Sequence, residues 1–129
     1  MTTTSAGATP PHVVVLVEEE QDERDAIARH LNDAGFQVLA ADDTAGGLQL
    51  LESARAVTAL VTDAHVPGPI DGFELAAQAR RRWPDVVVIM TSGHSDATSG
   101  PLPDGAAFIT KGYLTARLVP TIREKIGAR

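Results

Sequence analysis

The sequence predicts an α/β fold in which helices cover both faces of one open, parallel, five-stranded sheet. Five short apolar runs recur along the 129-residue chain, and segments with helical periodicity separate most of them. The runs are β-branched and nearly continuous instead of alternating, as expected when both faces of a strand are buried. Strands and helices that alternate in a chain of this length indicate a single parallel sheet, whose common strand order is 2-1-3-4-5.

The five predicted strands are short runs dominated by valine, isoleucine, leucine and alanine. Their apolar and β-branched content is typical of strands inside a parallel sheet. They are predicted at 12–17 (HVVVLV), 37–41 (QVLAA), 58–62 (TALVT), 86–90 (VVVIM) and 106–110 (AAFIT).

The first two helices are predicted from apolar residues that recur on one helical face. The first spans 22–34 and ends at Gly35, since glycine readily takes the left-handed conformation that closes a helix. The second spans 44–54, where leucines supply the apolar face and Gly46 and Gly47 lower the helix propensity. We expect the second helix to be the weaker of the two.

Two further helices are predicted after the third and fifth strands. The third spans 73–83 and is closed by Pro84. Apolar residues at steps of four predict the last helix at 113–126, but Pro120 removes an interior hydrogen bond and clashes with the preceding turn. That helix is therefore expected to be kinked or to begin late. The segment 95–105 is rich in helix breakers, so we expect a short or irregular connection there.

Acidic residues follow the first and third strands. Ligands of such sheets bind outside the carboxyl ends of the strands, at the point where the strand order reverses between strands 1 and 3. Asp63 comes just past strand 3 and the acidic run 18–20 just past strand 1, so carboxylates meet at this edge. Like charges at such range repel each other unless a cation joins them. Magnesium prefers oxygen ligands and typically uses one or two carboxylates with phosphate oxygens, which fits this arrangement.

Hydroxyl and ammonium groups are predicted at the same edge of the sheet. Thr91 and Ser92 follow strand 4, and Lys111 follows strand 5. A metal ion, a hydroxyl donor and a lysine are the groups needed to neutralise a phosphoryl group attached to a carboxylate. The edge is therefore a candidate site for phosphoryl chemistry on Asp63.

Together these residues resemble the receiver domain of two-component response regulators, a flavodoxin-like (βα)5 fold, over nearly the whole span 12–126. Taken singly, they have plainer interpretations, such as an acidic helix start, a turn or helix cap, and a surface lysine. Separated matches in the right order on the right elements favour the family over these. The matching residues are Glu18, Glu19, Asp63, Pro67, Asp71, Gly72, Thr91, Ser92 and Lys111.

The resemblance implies a signalling domain, not an enzyme, that accepts a phosphoryl group on Asp63. The donor would be a sensor histidine kinase or a histidine phosphotransfer protein. The resemblance further implies a magnesium ion held by the acidic pair Glu18 and Glu19, by Asp63 and by the backbone carbonyl of His65.

The resemblance also implies how phosphorylation is read out. Lys111 would contact the phosphoryl group, the hydroxyls of Thr91 and Ser92 would lie beside it, and Thr91 would move to hydrogen-bond it. Phe108, three residues before the lysine, matches the aromatic position whose rotamer reports the switch. A downstream protein partner would then sense a shift of the face from strand 4 to the last helix. The sequence leaves open whether that face also forms a homodimer.

Three departures from the family pattern carry expectations of their own. Glutamates in the acidic pair reach about 1.5 Å further than aspartates, so metal affinity or phosphorylation rate is expected to suffer. Gly112 replaces the usual proline after Lys111, so we expect a trans linkage and a less well aimed lysine. The interval from Asp63 to Asp71 is one residue longer than usual, which should alter the loop without moving Asp63.

Two other classes of function stay open from the sequence. A receiver-like binding module that no longer takes phosphate is favoured by the two glutamates and Gly112. A phosphohydrolase with Asp63 as nucleophile would resemble D-x-D, but the second position is His65. A flavin mononucleotide carrier fits less well, because the turn after strand 1 is rich in glutamate where a phosphate would need free amides and hydroxyls.

The composition of the chain argues against two classes of protein, those that bind nucleic acids and those that span a membrane. The formal charge of −6 and the dispersed basic residues argue against a nucleic-acid partner, and no run is long and apolar enough to cross a membrane. Zero cysteines suit a reducing cytoplasm. We expect a disordered tail at 1–11 and one receiver domain at 12–127. The chain ends at Arg129, from which we expect a stand-alone receiver, with part of a larger kinase as the alternative.

Overall fold

The computed structural model of the protein describes residues 12–93 and 102–127. The tail predicted at 1–11 lies outside the described residues, so the domain boundary predicted at residue 12 stays a prediction. Most of the irregular connection predicted at 95–105 also lies outside them. Residues 102–106, at its end, form a turn and carry no helix.

Five parallel strands form one sheet in the order β2-β1-β3-β4-β5, which confirms the predicted topology. The strands are β1 (Val13–Val17), β2 (Gln37–Ala41), β3 (Val57–Asp63), β4 (Val87–Ser92) and β5 (Ala107–Thr110).

Helices follow the strands as predicted, with boundaries that differ by at most one residue. Within the described ranges, none of them is both long and apolar enough to span a membrane. The helices are α1 (Gln21–Asp33), α2 (Thr44–Ser53), α3 (Gly72–Arg82) and α4 (Leu114–Gly127), and a short 3₁₀ turn (Lys111–Tyr113) precedes α4.

The core lies in two layers, one on each face of the sheet. Successive residues of a strand point to opposite faces, so Leu16 of β1 packs into one layer and Val17 into the other. The first layer joins the sheet to α1 and α4 through residues such as Leu118, and the second joins it to α2 and α3 through residues such as Leu75. Both faces of the sheet are therefore covered by helices.

Two strands extend further than the sequence predicts. Asp63 was expected just past β3 and is instead its last residue, while Thr91 and Ser92 are the last two residues of β4. Asp63 pairs in register with Thr91, and the amide of Ala64 donates to the carbonyl of Thr91 at 2.8 Å. The ladder thus continues into the polar residues because backbone pairing does not depend on side-chain hydropathy.

Helix α4 runs from Leu114 through Pro120 to Gly127, so the expected late start is wrong, and the expected kink stays a prediction. Pro120 has no N–H to donate to the carbonyl of Ala116. Both residues are exposed, so water can hydrate the freed carbonyl. On the opposite side of the helix, Leu118 and Ile122 are fully buried and hold α4 against the sheet. Packing of the apolar face therefore outweighs one lost hydrogen bond.

Ala56 has the left-handed conformation, with φ of +54°, in the turn between α2 and β3. A Cβ in this region costs free energy that glycine does not lose, although glycine also gains entropy in the unfolded chain. We expect Ala56→Gly to raise the free energy of unfolding by about 0.5 kcal/mol, measured by urea denaturation. Ala54→Gly is the matched control, because Ala54 has φ of −78° and should lose stability instead. Equal effects of the two substitutions would contradict the strain at Ala56.

Candidate functional site

Asp63 lies at the end of β3 with its carboxylate held from two sides. Its residue surface is 8% exposed. One oxygen, Oδ1, accepts a hydrogen bond from the backbone amide of His65 at 3.0 Å. The other, Oδ2, accepts from the ammonium of Lys111 at 2.8 Å. The predicted meeting of Asp63 and Lys111 at one edge of the sheet is therefore observed.

Three carboxylates surround the ammonium of Lys111. Its Nζ lies 2.8 Å from Asp63 Oδ2, 2.9 Å from Glu18 Oε1 and 3.0 Å from Glu23 Oε1. Burial opposes the charge of Lys111, but its hydrogen bond to Asp63 and its close contacts with the carboxylates of Glu18 and Glu23 outweigh that effect and raise the pKa of Lys111 above its ordinary value. No cis peptide bond occurs in the described ranges, so the linkage to Gly112 is trans as predicted. Lys111 nevertheless points at Asp63, which corrects the expectation that it is poorly aimed.

Glu18, the first residue after β1, reaches the site, and its surface is 3% exposed. Its Oε2 accepts from the amide of Glu20 at 3.0 Å. Its Oε1 is buried and has the Lys111 ammonium at ion-pair distance, without the angles of a hydrogen bond. Burial raises the pKa of the Glu18 carboxyl, and the contacts with Lys111 and the Glu20 amide partly offset the rise. The Glu18 carboxylate therefore has one buried oxygen, Oε1, that accepts no hydrogen bond.

The other two residues of the acidic run have different surroundings. Glu20 caps α1 by accepting from the amide of Glu23 at 3.0 Å, so the interpretation as an acidic helix start is right for this residue. Glu19 is exposed. The guanidinium of Arg24 donates to the backbone carbonyls of Glu18 at 2.9 Å and of Glu19 at 3.1 Å, which ties this turn to α1.

Thr91 and Ser92 end the strand beside Asp63, as the sequence predicts. Thr91 is 1% exposed and lies opposite Asp63 in the ladder, and Ser92 is fully buried. Phe108 of β5 is half-buried and packs against the core layer on the α2 and α3 side. Its role as a switch and that of Thr91 stay predictions.

The loop after β3 carries the extra residue and is anchored on α2. The side chain of Thr44 donates to the carbonyl of Ile70 at 2.8 Å, and its amide donates to the carbonyl of Pro67 at 3.0 Å. Gly68 has φ of +134° and passes so close to Thr44 that a Cβ would overlap it. The longer loop therefore docks against α2, while Asp63 keeps its place at the end of β3.

Asp71 and Gly72 form the start of α3, with Asp71 as its N-cap and Gly72 as its first residue, next to the backbone of Asp63. Asp71 caps the helix by accepting from the amide of Glu74 at 2.8 Å, which confirms its interpretation as a cap. A Cβ on Gly72 would overlap the backbone carbonyl of Asp63 and would lie 2.8 Å from the Cα of Ala64. Glycine is therefore needed here for the close approach of α3 to the end of β3.

Replacement of Gly72 by alanine should push α3 away from the end of β3. We expect Gly72→Ala to lower the free energy of unfolding by about 2 kcal/mol, because backbone atoms cannot yield as a flexible side chain would. Urea denaturation measures the change. Gly127→Ala is the control, since a Cβ at Gly127 meets nothing within 4 Å. A loss no larger at Gly72 than at Gly127 would show that the contact is unimportant.

The carboxylate oxygens at this edge of the sheet are suitable ligands for a divalent cation. Glu18 and Asp63 both direct an oxygen at the Lys111 ammonium, and the buried Glu18 Oε1 has no hydrogen bond. Two carboxylates at one point suit magnesium, which commonly uses one or two in proteins. Across the part of the chain that the structure describes, no three histidine, aspartate or glutamate side chains form a preassembled metal cage.

Sequence reasoning missed two residues of the site. Glu23 and Arg24 lie in the first turn of α1 and contact Lys111 and the acidic turn, respectively. Their positions in a predicted amphipathic helix place them near its N-terminus, but the pattern does not say which neighbour they reach. That depends on how α1 packs beside α4 and the 3₁₀ turn before it, a contact between residues far apart in sequence.

The chain is similar to known proteins of two-component signalling. A family model of the response regulator receiver domain matches residues 14–123. The hydrogenase transcriptional regulatory protein HoxA of Cupriavidus necator is 30% identical over 120 residues, which are 90% of this chain and 24% of that protein. The sensor kinase CckA of Brucella abortus is 30% identical over 116 residues, which are 88% of this chain and 12% of that protein. The chain thus spans about a quarter or less of these curated relatives.

Solved structures agree as well. The crystal structure of a response regulator receiver protein from Sinorhizobium medicae WSM419 has a TM-score of 0.81 at 28% sequence identity. The match covers 92% of this chain and 96% of that one. The two proteins therefore share a fold. In the present protein, this fold places Asp63, Thr91 and Lys111 at a common edge of the sheet. The matched family model spans most of the chain, and this protein therefore belongs to the response regulator receiver family of two-component signalling.

Proposed function

We propose that this receiver domain accepts a phosphoryl group on Asp63 and that the phosphorylated form changes its affinity for a protein partner. The observation that carries the proposal is the carboxylate of Asp63, which ends β3 and meets the ammonium of Lys111 at 2.8 Å. It lies at the edge of the sheet where ligands of such folds bind. A nucleophile and a cation for the incoming anion are therefore side by side.

The residues of this chain have distinct parts in the proposed transfer. A carboxylate oxygen of Asp63 attacks phosphorus, and the bond from phosphorus to the donor's imidazole nitrogen breaks. That nitrogen keeps the bonding electrons and later takes a proton. The amide of His65 holds the carboxylate in place. Lys111 supplies positive charge to the phosphoryl oxygens, and the hydroxyl of Thr91 then hydrogen-bonds one of them.

Magnesium is the proposed cofactor. Glu18 and Asp63 would hold it, together with Glu19 and the backbone carbonyl of His65. When bound, the ion supplies positive charge that offsets the negative charge of the phosphoryl group. The buried, incompletely partnered Glu18 supports this assignment more strongly than the exposed Glu19 does.

Donor and output are proposed from the family and its relatives. Two relatives are named as a transcriptional regulatory protein and as a sensor kinase. We propose a sensor histidine kinase or a histidine phosphotransfer protein as the donor. The output would be a protein that contacts the face from β4 to α4, and the same face is the candidate for a homodimer. The proposed role is that of a signalling domain. Its own chemistry would be limited to accepting the phosphoryl group on Asp63 and losing it again.

A binding module that takes no phosphoryl group is the second candidate. One observation favours it: three carboxylates lie within 3.0 Å of the Lys111 ammonium, so its positive charge is already paired with negative charge. A phosphohydrolase has weaker support, because the position of its general acid holds the exposed His65.

Amide NMR with magnesium and beryllofluoride, and intact mass after incubation with acetyl phosphate, separate these functions. The phosphoacceptor predicts magnesium-dependent shifts at Asp63, Thr91 and Phe108, and a mass gain of one phosphoryl group. A binding module predicts neither change. Repeated release of phosphate from a generic phosphate ester would identify a hydrolase.

A further inference from the structure

Lys111 has one acidic contact that the family resemblance does not include. An ammonium has three N–H donors, and the three carboxylates of Asp63, Glu18 and Glu23 lie 2.8, 2.9 and 3.0 Å from it. Of the three, only the Asp63 carboxylate is at a distance and angle that make a hydrogen bond, and the other two are ion pairs. Together they surround the ammonium, so a phosphoryl oxygen can approach Lys111 only if one of these carboxylates moves away. The three differ in how easily they can do so.

Exposure identifies the carboxylate that yields most easily. The side chain of Glu23 is 44% exposed, whereas those of Glu18 and Asp63 are 3% and 11% exposed. A carboxylate that leaves an ion pair must be rehydrated, and only Glu23 has ready access to water. Glu23 also lines a cavity of about 190 Å³ between α1 and α4, so its side chain has room to move.

We propose that Glu23 competes with the phosphoryl group for the ammonium of Lys111 and thereby restrains phosphorylation of Asp63. The proposal rests on the proposed phosphoacceptor function and adds a regulatory residue to that site. In the unphosphorylated protein Glu23 holds Lys111 from the α1 side. When a phosphoryl group is bound to Asp63, Glu23 releases Lys111 and turns to solvent.

The restraint should be modest, because half-exposed ion pairs are weak. Glu23→Ala is expected to bind beryllofluoride, in the presence of magnesium, about three-fold more tightly than the wild-type protein. It should also be phosphorylated faster by acetyl phosphate. NMR titration and intact mass measure the two effects.

Asp25→Ala is the matched control. Asp25 is an exposed acid of the same helix, and a side chain two positions along a helix points in a different direction. The control removes the same charge without removing a contact to Lys111. If Asp25→Ala tightens binding as much as Glu23→Ala, the effect is one of general charge, and the proposal is wrong. Unchanged or weaker binding by Glu23→Ala would equally overturn it.

A second measurement separates the Glu23 contact from the phosphoacceptor function. The chain has two lysines, Lys111 and Lys125, so an amine-reactive reagent followed by peptide mass analysis reports on each. Glu23→Ala should raise the labelling of Lys111 relative to Lys125, and Asp25→Ala should not. If the wild-type protein does not bind beryllofluoride in the presence of magnesium, the proposed phosphoacceptor function is wrong. The proposed competition between Glu23 and the phosphoryl group is then wrong as well. Lys111 labelling then still decides whether Glu23 holds the ammonium.

Discussion

Replacement of Asp63 by asparagine is expected to abolish magnesium-dependent phosphorylation by acetyl phosphate. Asparagine has nearly the same shape as aspartate and can still accept from the His65 amide, so the end of β3 should keep its structure. An amide lacks the charge and nucleophilicity of a carboxylate, and it attracts neither a divalent cation nor the Lys111 ammonium strongly. Intact mass after incubation with acetyl phosphate measures the result.

Asp42→Asn is the control for the Asp63 variant. Asp42 directly follows β2 at the same edge of the sheet and is exposed. The control removes one charge from that edge and should leave phosphorylation unchanged. Circular dichroism and thermal unfolding of both variants test whether the fold is intact. Persistence of the phosphoryl mass gain in Asp63→Asn would show that another residue is the acceptor.

Replacement of Lys111 by methionine is expected to lower stability at neutral pH by about 2 kcal/mol. Methionine keeps much of the length and volume of the lysine stem but not its charge. The nearly buried carboxylates of Glu18 and Asp63 then repel each other without a cation between them. The estimate is below that for a fully buried pair, because the Lys111 side chain is 18% exposed and water reaches the edge.

The loss in Lys111→Met should depend on pH in a defined direction. Burial already raises the pKa of Glu18 in the folded protein above its ordinary value of 4.5, and loss of the ammonium should raise it further. A carboxyl with a raised folded pKa binds protons more tightly when folded. Its stabilising effect is thus fully present below 4.5 and is lost as the pH rises through the raised folded value. The variant should therefore fall further behind the wild-type protein between acidic and neutral pH.

Magnesium should partly rescue the Lys111 variant. A divalent cation can replace the lost positive charge between the carboxylates, and binding to the folded state alone stabilises it. Thermal unfolding at several pH values, with and without magnesium, measures both effects. Lys125→Met makes the same substitution at a residue whose ammonium is 3.5 Å from the Gly105 carbonyl and contacts no acidic site residue. Identical pH profiles for the two variants would contradict an acidic pair held by Lys111.

Most of the fold could be predicted because its signals are local. The apolar run at 37–41 coincides with β2, and Gly35, with φ of +97°, ends the turn after α1. The late start of α4 that Pro120 suggests is wrong, because a local steric rule cannot weigh the burial of Leu118 and Ile122 on the other side of the helix. From the sequence, Gly46 and Gly47 only lower the helix propensity of α2. Gly47 in fact lies so close to β1 that a Cβ would be 2.5 Å from Val17 Cγ2.

The sequence by itself determined the topology of this protein and which strand ends meet, and therefore that Asp63, Thr91 and Lys111 share one edge of the sheet. Only the tertiary structure decided which acidic residues join them. Adjacent residues at a strand end point in different directions, so Glu18 turns into the site while Glu19 is exposed. Glu20, at the start of the next element, caps α1. The contact between Glu23 and Lys111 depends on how α1 packs beside the turn after β5, which no local pattern encodes.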